Sequence, residues 1–82
     1  MANHEDVVKA TVAKGFNVPL NMVGNNMNIR DTLSADIGDV TQVTAVLEDI
    51  FNICIAYDDA RQFTTIQDIV DYVGRKLWWY NH

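Results

Sequence analysis

The residues able to form or break bonds are few in this sequence, and their spacing assembles none of the usual constellations. His4 and His82 stand near opposite ends and, with the single Cys54, lack metal-ligand spacing, so no zinc or other metal site is expected. Glu48 and Asp49, like Asp58 and Asp59, are neighbours in sequence and point in different directions, which makes them solvated charges rather than an acid–base couple. No EF-hand ligand pattern follows Asp58-Asp59, no glycine-rich loop is present to cradle a phosphate, and no Ser/His/Asp set is available. What remains is a group of hydroxyls around Asp36, namely Thr32, Ser34 and Thr41, and a concentration of negative charge. Between Asp31 and Asp71 lie nine acids and one base, Arg61, whereas Lys9, Lys14, Arg30, Arg75 and Lys76 fall outside that span. The chain is therefore expected not to be an enzyme, and its acidic middle invites a basic protein partner. A formal net charge of -5 also argues against non-specific nucleic-acid binding, which depends on cations neutralising phosphates.

The acids and hydroxyls are positioned by the stretch from Leu33 to Phe51, whose spacing predicts one long helix. Asp36 is a good N-cap, and Asp39 adds a second carboxylate in the first turn, where free amides and the positive end of the helix dipole favour it. Val40, Val43, Leu47 and Ile50 fall on one stripe, with Val46 and Phe51 at its edge. Gly38 in the first turn costs up to about 1 kcal/mol relative to Ala, which leaves either a close partner approach or a site no longer selected for a larger residue. Upstream, Asn3 caps a first helix with Glu5 and Asp6 in its first turn. Val7, Val8, Thr11, Val12, Gly15 and Phe16 recur at helical spacing, and Gly15, Asn17 and Pro19 end it. A long polar loop follows to Asp31, with Val18, Val23, Met27 and Ile29 available to pin it to the core.

Beyond the long helix, Asn52 to Tyr57 reads as a connector with Ile53 and Ile55 pointing inward. Asp58 to Gln62 forms a single helical turn anchored by Phe63. Thr64 or Thr65 caps the last helix, Asp68 stands at capping-box spacing from Thr65, and Ile66, Ile69, Val70, Val73 and Leu77 form its stripe. The expectation is an all-α chain, three main helices plus one short helix packed as a small four-helix bundle with a long first loop. Residues 1–82 form a single domain with an aromatic C-terminal extension at 75–82. Trp78, Trp79 and Tyr80 in that extension cannot all face one side of a helix. They serve as a plug for the bundle interior, as extra core cover, or as an interaction hot spot.

Of the residues, 49% are apolar, enough for the modest core of a short chain. One cysteine excludes an internal disulfide and suggests a reducing compartment. No apolar run is long enough to span a bilayer, and no basic segment followed by an apolar one opens the chain, so a cytoplasmic protein is expected.

The segment Leu33-Ser34-Ala35-Asp36-Ile37-Gly38-Asp39, followed by the helix ending Leu47-Glu48-Asp49-Ile50-Phe51, resembles the acyl carrier proteins. Their signature is Leu-Gly-Ala-Asp-Ser-Leu-Asp before a helix ending Leu-Glu-Glu-Glu-Phe. The likeness extends without a gap over Val8-Lys9, Val12, Phe16, Val18, Val23, Asn25-Asn26 and Ile29, and again over Ile55, Ala60, Phe63-Thr64-Thr65-Ile66 and Asp71-Tyr72-Val73. It implies an acyl-carrier-like bundle, a fold whose first loop is long.

The departures fall at the decisive positions. The resemblance implies that 4'-phosphopantetheine would be attached to a Ser where this chain has Ile37, and that the following Leu, which partner enzymes grip, is Gly38. Ile has no nucleophile, so no cofactor is expected unless the arm sits on a non-standard residue. Ser34, whose backbone lies at most roughly 10 Å upstream, is the alternative attachment point; Thr41 and Thr32 read as local hydrogen-bonders. The partner surface that the resemblance implies comprises Asp36, Gly38, Asp39, Gln42, Glu48 and Asp49, with Gln42 replacing a common acid. Three functions stay open. The first is a non-catalytic interaction module docking a basic client enzyme. The second is a genuine carrier of fatty-acid or related biosynthesis, modified at Ser34 or blocked by a deliberate change at Ile37. The third is a bundle that binds lipid or an acyl chain without covalent attachment.

Overall fold

The computed structural model describes residues 3–80, and of Tyr80 the backbone alone. Helix α1 spans His4–Gly15, α2 Ile37–Phe51, α3 Tyr57–Ala60 and α4 Ile66–Tyr80, with a 3-10 turn at Leu20–Met22 in the long first loop. The three long helices and one short one are the all-α bundle that the spacing predicts. His82 lies outside the described residues.

Local chemistry starts the helices where the caps predict. Asn3 Oδ1 accepts from the Asp6 N–H at 3.0 Å to open α1. Asp36 and Asp39 form a reciprocal capping box at the start of α2, Asp36 Oδ1 accepting the Asp39 N–H at 2.9 Å and Asp39 Oδ2 the Asp36 N–H at 3.1 Å. At α4 the Thr65 Oγ1 accepts the Asp68 N–H at 3.2 Å, while Asp68 Oδ2 accepts the N–H groups of Thr65 and Thr64 at 3.1 and 2.9 Å. Partial burial pushes the Asp68 carboxyl up, but the hydrogen bonds from Thr64 and Thr65 outweigh it and hold the group below its ordinary value. Asn52 closes α2 in the left-handed conformation at φ 55°, which Asn tolerates better than most residues.

The core is the meeting of three stripes. Val8 and Val12 from α1, Val40, Val43 and Leu47 from α2, and Ile66, Ile69, Val70 and Val73 from α4 are all buried. Ile53 and Ile55 of the connector turn inward as expected, and Ala60 and Phe63 seat α3 on the bundle. Tyr72 joins this core with its ring edge-on to Phe63, centroids 5.3 Å apart, and its hydroxyl donates to Asp59 Oδ2 at 2.8 Å. Burial first, then the Asp59 bond and charge, pushes the phenol up to about 12.

The long loop is stitched down rather than merely pinned. Val23 and Ile29 are buried, and Val18 and Met27 pack partly against the core. Main-chain bonds then run to the start of α4: Ile29 N–H to Thr64 O at 2.8 Å, Ile66 N–H to Met27 O at 3.1 Å, and Gln67 N–H to Asn25 O at 2.8 Å. The last two satisfy amides that the first turn of any helix leaves without an internal partner.

Three expectations are corrected. Ile50, placed on the core stripe of α2, is 52% exposed, and Val46 beside it 46%, while Thr44 is buried with its hydroxyl on Thr41 O. The reason is that α1 covers one flank of α2 and α3 the other, so the buried arc centres on Val40, Thr44 and Leu47, and Ile50 rotates out toward solvent. In α1, Gly15 is exposed and Ala13 buried in its place. The short helix runs over Tyr57–Ala60, a residue earlier than the spacing suggested and two shorter at its far end.

Candidate functional site at the start of the second helix

The approach to α2 is drawn tight before the helix begins. Ala35 is buried and its N–H reaches Ile29 O at 3.1 Å, so the chain enters Asp36 from the core side. Ser34, just outside, is exposed and held at φ 54°, a left-handed conformation uncommon for serine. With the capping box closed, Ile37 becomes the first residue of α2. Its side chain is half-buried and packs against the hydrophobic core.

Gly38 follows on the exposed side. A Cβ there would stand 3.2 Å from Asp36 Oδ1, the oxygen that caps the helix, so any larger residue requires that carboxylate to give by a few tenths of an ångström. The absent side chain therefore has a local reading beside the two drawn from the sequence: it leaves the cap uncrowded. The Thr41 hydroxyl donates to Gly38 O at 2.9 Å and is occupied within the helix. Thr32 is exposed, its N–H on Asn28 O at 2.9 Å.

The acids that the sequence groups on one helix do not share one face. Asp39 and Glu48 are nine residues apart, which at 3.6 residues per turn places them roughly 180° apart around the axis. Asp39 faces α1 and is held in the capping box. Glu48 turns toward the connector, where its Oε2 accepts the Ile55 N–H at 3.1 Å. Asp49, Gln42 and Gly38 are left together on the exposed outer face. The fold-holding role of Glu48 was invisible in the sequence, because Ile55 returns to it only after the chain has reversed at Asn52.

On the α1 flank the exposed Val46 and Ile50 border a groove of about 520 Å³, lined also by Val7, Ala10, Phe16 and Val43, with Lys14, Asp39 and Gln42 among its polar lining. Gly15 also lines it, and a Cβ there would stand 3.0 Å from Val43 Cγ2; its absence lets α1 approach α2 closely. Among the described residues no group of three His, Cys, Asp or Glu could hold a metal ion.

No family model matches the chain. It is 33% identical over 76 residues to an acyl carrier protein of Buchnera aphidicola, a match covering 93% of this chain and 96% of that one. The chain belongs to the acyl carrier protein family. A second member, from Chlamydia caviae, is 33% identical over 69 residues, 84% of this chain and 90% of its own. The solved structure of a thermally stable acyl carrier protein from Enterococcus faecalis matches with a TM-score of 0.74 at 29% identity, covering 89% of this chain and 92% of that one.

Family membership raises the question of the phosphopantetheine arm, and the residues at the start of α2 do not fit its attachment. A loaded position needs an exposed oxygen nucleophile, whereas position 37 offers a hydrocarbon side chain lying on the core. The exposed hydroxyl nearest in sequence before the helix, Ser34, lies outside the capping box and on a differently shaped backbone.

Proposed function

We propose that this acyl carrier protein relative works without a covalent arm, as a non-catalytic interaction module that docks a basic surface of a client enzyme in the cytoplasm. The observation that carries the reading is Ile37, half-buried on the core at the first position of α2. Docking falls to the outer face and N-terminal end of α2: Asp36 and Asp39 as a paired charge at the cap, and Gly38, Gln42 and Asp49 exposed along the face. Glu48 contributes negative charge from the flank while keeping its bond to Ile55.

The test is the intact mass after incubation with coenzyme A and a broad-specificity phosphopantetheinyl transferase, beside an Ile37→Ser/Gly38→Leu variant. Loading of the variant alone supports the reading. Loading of the native chain, with peptide mapping to Ser34 or a threonine, overturns it in favour of a carrier with a displaced site. Binding to the client should weaken with salt and on Asp49→Lys, a position without the internal bond that complicates Glu48. Salt-insensitive binding counts against docking through charge.

A second reading, non-covalent binding of an acyl chain, is favoured by the apolar groove between α1 and α2 with Lys14 available for a carboxylate. Co-purified fatty acid in a native mass spectrum, lost on Ile50→Asp, supports it; a ligand-free spectrum after addition of excess fatty acid rules it out.

A further inference from the structure

The C-terminal half of α4 brings together exposed aromatic rings and two cations. Tyr72, Arg75, Lys76 and Trp79 follow the i, i+3, i+4, i+7 spacing that puts residues on one helical stripe. The Tyr72 ring lies under both cations, the Arg75 guanidinium carbon 5.9 Å and the Lys76 Nζ 5.4 Å from its centroid. Trp79 is 72% exposed and Trp78 56%, their indoles stacked with centroids 6.2 Å apart and planes 19° from parallel. These five residues line one depression of about 410 Å³. Ion pairs among the described residues join Lys9 to Glu5 and Arg61 to Asp58; neither Arg75 nor Lys76 takes part, although Arg75 also borders a depression lined by Asp59, Asp68 and Asp71. From Val73 to His82 the sequence has two cations and no acid.

A pair of exposed indoles calls for a surface that is apolar with a polar boundary, and the two cations call for negative charge at that same boundary. The headgroup region of an anionic bilayer supplies both: indoles settle at the interface, while long basic side chains reach lipid phosphates. The overall charge of -5 does not forbid this. The molecule extends 35 × 30 × 20 Å, whereas charges are screened beyond about 8 Å at physiological ionic strength, so an approaching surface reads the nearest charges rather than the total. No helix among the described residues is long and apolar enough to cross a membrane, so the contact is peripheral. We propose that the end of α4 docks this protein on anionic lipid bilayers, with Trp78 and Trp79 entering the headgroup layer and Arg75 and Lys76 on the lipid phosphates.

The two tryptophans of the chain both lie in this patch, so intrinsic fluorescence reports on it without a label. The full chain is titrated with phosphatidylcholine vesicles containing about 30% phosphatidylglycerol, and with pure phosphatidylcholine vesicles. The expected result is a blue shift and co-sedimentation with the anionic vesicles, weakened about tenfold or more by Arg75→Gln/Lys76→Gln and reversed by high salt. Trp79→Ala is expected to weaken co-sedimentation similarly, with the far-UV circular dichroism of both variants unchanged because the altered side chains lie outside the core. Absence of a shift with anionic vesicles overturns the proposal, as does equal partitioning onto neutral vesicles or of the double variant. A shift that needs no vesicles and grows with protein concentration overturns it too, and assigns the patch to a second copy of the chain.

Discussion

In the proposed function, one side chain at position 37 separates the fold from its family's chemistry. Ile37 is the first residue of α2 and adds apolar contact, and its side chain carries no nucleophile. Ile37→Ser should therefore lower stability by about 1 kcal/mol, since a half-buried aliphatic side chain is given up, and lower the melting temperature by several degrees in a calorimetric scan. Tyr72 makes a second prediction at this scale. Its phenol is raised in the folded state from 10.0 to about 12, so its stabilising effect is intact below pH 10. As pH rises from there toward 12 the unfolded chain releases the proton first, and stability falls. Urea titrations across that window should show this loss in the native chain and a shallower one in Tyr72→Phe, which lacks the bond to Asp59.

At the scale of the element, the helices are set by short-range chemistry at their caps. The Thr65–Asp68 box both caps α4 and lies where the long loop joins it. Thr65→Ala should cost about 1 kcal/mol, measured by denaturant midpoint. Because the folded-state Asp68 carboxyl is held below 3.8, its stabilising effect is present above that pH and fades as pH falls through the lower folded value. Acid unfolding of Asp68→Asn should accordingly lose part of its pH dependence below about pH 4. The caps were legible because each depends on residues three apart. The stitching of Asn25 and Met27 onto α4 was not, since polar loop residues carry no period that names their distant partners.

The whole molecule rests on a small core, and Leu47 is at its centre with no exposed surface. Leu47→Ala should cost about 3 kcal/mol, a large part of the stability of a domain this size, and a urea titration should show a far lower midpoint without a change in cooperativity. The sequence by itself determined the all-α class, the helix starts at Asn3, Asp36 and one of Thr64 and Thr65, the inward Ile53 and Ile55, and the absence of a hydroxyl at position 37. Each of these follows from residue type and local spacing, which no neighbour needs to supply. Tertiary structure alone decided which arc of each helix is covered. Packing of α1 and α3 against α2 turned Ile50 and Val46 outward and directed Glu48 to Ile55. It likewise left Trp78 and Trp79 on the surface instead of closing them over the core, because α4 runs on as a helix and carries them away from the bundle's apolar centre. Periodicity states that a helix has an apolar side; only the positions of the other helices state where that side ends.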